Sequence, residues 1–104
     1  MPNRLNIDEL QLQHFCHRWG IKELELFGSV LRDDYRPESD VDVLVTFDRS
    51  ARWSLLDHQT MGEELSRMLG RTVDLISRRA VERGSNWIRR KEILETAEPW
   101  YAAG

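Results

Sequence analysis

Paired cysteines, long apolar runs and an excess of basic charge are all missing from this chain of 104 residues. No apolar stretch approaches the roughly 20 residues of a membrane span. Met1-Pro2-Asn3-Arg4-Leu5 lacks the apolar core of an export signal. The expectations are therefore no membrane role and a cytoplasmic location. The one cysteine, Cys16, cannot close an internal disulfide and has no second thiol with which to grip a metal. It is expected as a small apolar filler on a helix. The formal net charge is -3, from 15 Lys and Arg against 18 Asp and Glu. A domain that holds nucleic acid by its phosphates carries a basic face. Only short basic clusters occur here, Arg78-Arg79 and Arg89-Arg90-Lys91, so nucleic acid is not the expected partner.

What is present reads as ordinary globular sequence. Hydrophobic residues make up 40% and charged residues 32%, which is folding rather than disordered composition. The expectation is one domain over residues 1–104, with a core of modest size that gains from a partner.

Periodicity places the elements. Asn6 or Asp8 can cap a first helix, whose Leu12, Phe15, Cys16 and Trp19 share one face and which Gly20 stops. In Ile21–Phe27, Leu24 and Leu26 alternate with Glu23 and Glu25, the pattern of a half-buried strand. Ser29 to Asp34 has room for one or two helical turns, and Tyr35 to Ser39, with Pro37, reads as a loop. Val41, Val43, Leu44, Val45 and Phe47 form a second strand rich in β-branched residues. Leu56, Met61, Leu65, Met68 and Leu69 fit a helix from about Leu55 to Gly70. Val73, Leu75 and Ile76 make a third strand, and Ser77 to Ser85 a charged connection. Trp87, Ile88, Ile93 and Leu94 suggest a last helix that ends before Pro99. This order predicts an α/β (α+β) domain with a small sheet, its strand order and directions left open. Trp19 and Trp87 read as core. Trp53 and Trp100, in a loop and near the terminus, are candidates for a partner surface, with core or casual exposure the stronger reading. His14, His17 and His58 fall in helices without metal-like company.

Three short patterns carry the chemistry. Asp40 and Asp42 stand two apart, so a strand projects both from one face, with Cα atoms about 6.6 Å apart. Two carboxylates there can converge on hard cations such as magnesium, which takes oxygen ligands and keeps water and phosphate in its shell. Taken alone, the pair reads more readily as two solvated acids. Gly28-Ser29 follows a strand and precedes a short helix. A glycine lets backbone approach a ligand, a helix N-terminus attracts phosphate, and the Ser29 hydroxyl adds a donor. Taken alone, this is also a common turn with a serine cap. Asp74 interrupts an otherwise apolar strand. If that strand lies beside the Asp40 strand, three carboxylates meet; if it is a water-facing edge, the acid is unremarkable.

The combination is far more specific than its parts. Gly-Ser, ten intervening residues and Asp-x-Asp, here GSVLRDDYRPESDVD, resemble the signature of the polymerase-beta nucleotidyltransferase superfamily. Arg32, Pro37 and Ser39 extend the likeness to its minimal nucleotidyltransferases. RTVDLIS, with Asp74, resembles their third-carboxylate strand, and NWIRRKEILETAEPWY their C-terminal helix. One departure is Asp33, where such proteins often have glycine.

The chain is similar to the antitoxin half of HEPN–MNT toxin–antitoxin pairs, and the resemblance has definite implications. The fold would be a small mixed sheet flanked by helices. The reaction would be AMP transfer from ATP to a tyrosine of a HEPN ribonuclease partner, in a hetero-oligomer. Gly28 and Ser29 would hold the triphosphate, and Arg32, with Arg36, could touch phosphate through the planar guanidinium. Asp40, Asp42 and Asp74 would bind two magnesium ions, with Asp74 also assisting deprotonation of the acceptor hydroxyl. Two other readings stay open: an antitoxin that acts by occlusion alone, and transfer to a small molecule.

Overall fold

The computed structural model describes residues 7–28 and 40–102. The short helix and loop expected between Ser29 and Ser39 lie outside the described residues, and with them Ser29, Arg32 and Arg36.

Helix α1 spans Glu9–Arg18. Of the two caps the sequence offered, Asp8 serves: its carboxylate accepts the Leu10 N–H at 3.0 Å. Leu12, Phe15 and Cys16 are its buried residues. Strands β1 (Ile21–Phe27) and β2 (Val41–Phe47) follow, with bounds as expected. Helix α2 runs Leu55–Leu69. Ser54 and Asp57 close a capping box at its start, and Gly70 ends it in the left-handed conformation, φ 66°. Strand β3 is Val73–Ser77.

Two elements depart from the expectation. The charged connection after β3 contains helix α3, Arg78–Arg83, capped by Ser77. It buries none of its side chains, so it left no apolar period to detect. After α4 (Trp87–Thr96), the chain re-enters the sheet as β4, Glu98–Ala102. Pro99 lacks a ladder donor, and β4 accommodates it by lying at the edge of the described sheet.

The sheet order is β3-β2-β1-β4. β1 pairs antiparallel with both β2 and β4, whereas β2 and β3 are parallel. The parallel pair is joined through α2, as a parallel connection requires. His58 of α2 bonds the Leu75 carbonyl through Nε2 at 2.7 Å, fastening that helix to β3.

Alternation divides the side chains of the sheet. Leu24, Leu26, Val41, Val43, Val45 and Leu75 face α1 and α2 and form the main core with Phe15, Met61, Leu65 and Trp100. Phe27 and Leu44 face the other way and form a smaller cluster with Ile93 of α4. This packing decides two tryptophans. Trp100, a candidate for a partner surface, is buried in the main core. Trp87, expected in the core, is 61% exposed because α4 turns only Ile93 fully inward. Trp19 is half-buried and meets Trp53 edge-on at 5.1 Å, while the Trp53 indole donates to the Trp19 carbonyl at 2.8 Å. Among the described residues, no helix is long and apolar enough to cross a membrane.

Candidate functional site

The acids gather at one end of the sheet because of its topology. β1 ends at Phe27, beside the starts of its antiparallel partner β2 and of β3, which runs parallel to β2. The ladder pairs Phe27 with Asp42, and Asp42 with Asp74. Asp42 and Asp74 are therefore lateral neighbours one strand spacing apart, about 4.8 Å between backbones, on one face. That face is the one that carries Phe27 and Leu44, opposite the main core. Asp40 immediately precedes β2 and is exposed. Its place two residues before Asp42 follows the period of the strand.

Asp74 falls between the two conditions weighed for it, and Asp40, Asp42 and Asp74 do not gather into a group that could hold an ion by itself. The Asp74 strand neighbours the Asp42 strand, and it is also an edge of the described sheet with the Asp74 side chain exposed. Exposure leaves this carboxylate reachable by an approaching group, whereas Asp42 is half-buried.

Gly28 closes the other side of Asp42. Its φ is +75°, a conformation that L side chains rarely adopt. A Cβ built there would overlap Oδ2 of Asp42 and stand 3.2 Å from its Cγ. The backbone at Gly28 is thus pressed against the carboxylate, and any side chain would displace the acid from its position.

The donors at this end are carboxylate oxygens, the ligands that magnesium takes, and Gly28 brings bare backbone close to one of them. The residues fit that ion. Among the described residues, no three His, Cys, Asp or Glu groups are gathered closely enough to cage an ion by themselves. Such an arrangement suits magnesium, which commonly binds one or two carboxylates and fills its shell with water and phosphate.

A cavity of about 440 Å³ adjoins Gly28, between the end of β1 and helix α4. Phe27 and Ile93 supply its apolar walls, and Arg89, Glu92, Thr96 and Glu98 its polar ones. The sequence reading assigned none of these four polar residues a role. The available signal was helical spacing: Arg89, Glu92 and Thr96 stand at i, i+3 and i+7 of α4, on one face with Ile93.

Helix α3 also touches this face through Arg78, which forms an ion pair with Glu25 of β1. Glu25 is half-buried, so the pair anchors α3 over the sheet.

Comparison with known proteins agrees with this geometry. The family described as nucleotidyltransferase domain matches residues 9–98. Protein adenylyltransferase MntA of Thermococcus cleftensis is 37% identical over 67 residues, 64% of this chain and 66% of that protein. A Methanocaldococcus jannaschii protein assigned to the protein adenylyltransferases is 34% identical over 64 residues, 62% of this chain and 64% of its own length. The match thus spans just under two thirds of each of these relatives. A solved minimal nucleotidyltransferase structure is 33% identical with a TM-score of 0.65, covering 88% of this chain and 87% of that one. A chain from a toxin–antitoxin crystal structure with AMP-PNP shares the fold at 15% identity, with a TM-score of 0.68, covering 93% of this chain and 75% of that one. The Gly28 edge, the aligned acids and the match over residues 9–98 lead to one conclusion: this chain belongs to the nucleotidyltransferase domain family, as a minimal member of it.

Proposed function

We propose that the chain is an antitoxin-type protein adenylyltransferase. It transfers AMP from ATP to a tyrosine of a HEPN-type ribonuclease toxin, neutralising the toxin within a cytoplasmic hetero-oligomer. The observation that carries this reading is the lateral alignment of Asp42 with Asp74 beside the side-chain-free edge of Gly28. Support also comes from relatives that are protein adenylyltransferases, and from a solved complex of like fold between an AMPylated HEPN toxin and its MNT antitoxin.

The chain's own groups divide the work. The backbone at Gly28, with Ser29 and Arg32, receives the triphosphate. Asp40 and Asp42 would hold magnesium at the sheet end, where the ion would draw the phosphates of the nucleotide. Asp74, exposed on β3, accepts the proton of the tyrosine hydroxyl. The phenolate oxygen then attacks the α-phosphorus, the bond from that phosphorus to the bridging oxygen breaks, and pyrophosphate leaves with the electron pair. Two magnesium ions on Asp40, Asp42 and Asp74 would neutralise charge on the phosphates and on the departing pyrophosphate.

The test is the intact mass of the purified toxin after incubation with this chain, ATP and magnesium. The expected result is a gain of one or more AMP units with the native chain and none with Asp42→Asn. A toxin that stays unmodified yet is inhibited would overturn the enzymatic reading in favour of occlusion.

A further inference from the structure

Strand β3 carries Asp74 at the edge of the described sheet, so the ladder with β2 holds it on one side only. Resting on the transfer reading above, we infer that Ser66 and His58 of α2 are positioning residues for Asp74. They hold the outer side of β3, as a further strand would, and thereby fix the backbone that aims the acid.

The backbone bonds of β3 are the first argument. The Thr72 carbonyl accepts the Val41 N–H at 2.9 Å, so Thr72 turns toward β2. Successive residues of a strand present their backbone groups to alternate sides. Asp74 and Ile76 therefore turn toward β2 as well, and Val73 and Leu75 turn outward. Backbone groups at such an edge stay open to other strands unless something covers them. Helix α2 covers two of them. The Ser66 hydroxyl accepts the Val73 N–H at 3.0 Å and donates to the Gly62 carbonyl at 2.8 Å, so it is itself held. His58 meets the Leu75 carbonyl at 2.7 Å, and because a carbonyl only accepts, Nε2 carries the proton. The two bonds fall on the residues immediately before and after Asp74.

The contrast with Asp42 is the second argument. β2 has a strand on each side, and Asp42 also meets the backbone at Gly28. The Asp74 side chain is exposed, so its aim comes from the strand that carries it. Ser66 and His58 are half-buried and belong to the helix on the main-core side of the sheet. Asp74 projects from the other face, beside Asp42. Both α2 residues therefore act on the acid only through the backbone of β3. Misplacing a reacting group by about 1 Å can cost on the order of a hundredfold in rate. Proton acceptance at Asp74 is the step that depends on these two bonds. Nucleotide binding at Gly28 and Asp42, on the other side of β2, does not.

The experiment takes two measurements on the full-length chain. One is the kinetics of AMP transfer to the purified toxin, with magnesium and varied ATP. The other is amide hydrogen exchange by NMR, with neither magnesium nor toxin. Ser66→Ala and His58→Ala are each expected to lower kcat about tenfold and to leave KM for ATP within about twofold. Ser66→Thr keeps the hydroxyl and His58→Gln keeps an N–H donor, and both are expected to restore most of kcat. Without magnesium, both alanine variants should speed exchange of the Asp74 amide about tenfold and leave that of Leu24 in β1 unchanged. Asp74→Asn is expected to lose transfer with the fold retained. Given that loss, native kcat in both alanine variants, or conservative variants as impaired as the alanine ones, would overturn the inference and leave the transfer reading standing. Native exchange at Asp74 in both alanine variants would overturn it as well. Full transfer by Asp74→Asn would overturn the role of the acid, no transfer by the native chain would overturn the transfer reading itself, and either result takes the inference with it.

Discussion

Gly28 is the residue on which the site geometry depends most. Its positive φ and its contact with Asp42 each exclude a side chain. Gly28→Ala should therefore lose nucleotide transfer and also stability, by about 1–2 kcal/mol for the left-handed backbone alone. Urea unfolding beside a transfer assay checks both effects. Full transfer by the variant would show that the acid does not need its present position. Cys16 supplies a second test at this scale. Burial pushes its thiol from 9.0 up to about 12. The folded state thus resists losing the thiol proton. Its contribution to stability is complete below the unfolded value and falls as pH rises between about 9 and 12. Unfolding midpoints of the native chain should decline more steeply across that window than those of Cys16→Ala. Parallel declines would contradict the assignment.

At the scale of elements, the sequence was legible wherever a period faced the core. β1, β2, α2 and β3 follow their apolar residues closely, and Gly70 ends α2 where expected. What could not be read was structure without a period. α3 is six residues long and buries none of them. β4 carries Pro99 and departs from simple alternation, because its pairing with β1 shifts register between Leu24 and Glu25. Its Trp-Tyr pair was the available strand signal. Trp87 was misassigned and Trp100 left open for the same reason: aromatic content alone does not report which side of α4 or β4 meets the core. The candidate site divides similarly. The spacing of Gly28, Asp40 and Asp42 was visible in the chain, but the register that sets Asp74 beside Asp42 belongs to the sheet. The cap of α2 permits a prediction of its own. Ser54 accepts the Asp57 N–H at 3.1 Å and the Asp57 carboxylate accepts the Ser54 N–H at 3.0 Å. Ser54→Ala should cost about 1 kcal/mol, read as a lower thermal midpoint with nucleotide binding retained. A variant as stable as the native chain would show that the cap contributes nothing.

Across the whole molecule, the two faces of the sheet divide the labour. The face toward α1 and α2 holds the main core, while the face toward α3 and α4 carries Asp42, the smaller cluster and the cavity beside Gly28. The site sits at the end where β1 finishes and where β2 and β3 begin, so core packing fixes the backbone that aims the acids. This division separates stability from activity: loss of an acid's charge should spare the fold, and loss of a core side chain should not. Leu65→Ala, at a fully buried position, should cost about 2–5 kcal/mol by urea unfolding. The central claim is that AMP, rather than phosphate, moves to the partner toxin. Parallel incubations with ATP labelled at the α- or at the γ-phosphorus test it most directly. The account predicts α-label bound covalently to the toxin, γ-label released as pyrophosphate, and neither transfer with Asp42→Asn. Label on the toxin from the γ-position, or α-label transfer undiminished by Asp42→Asn, would contradict it.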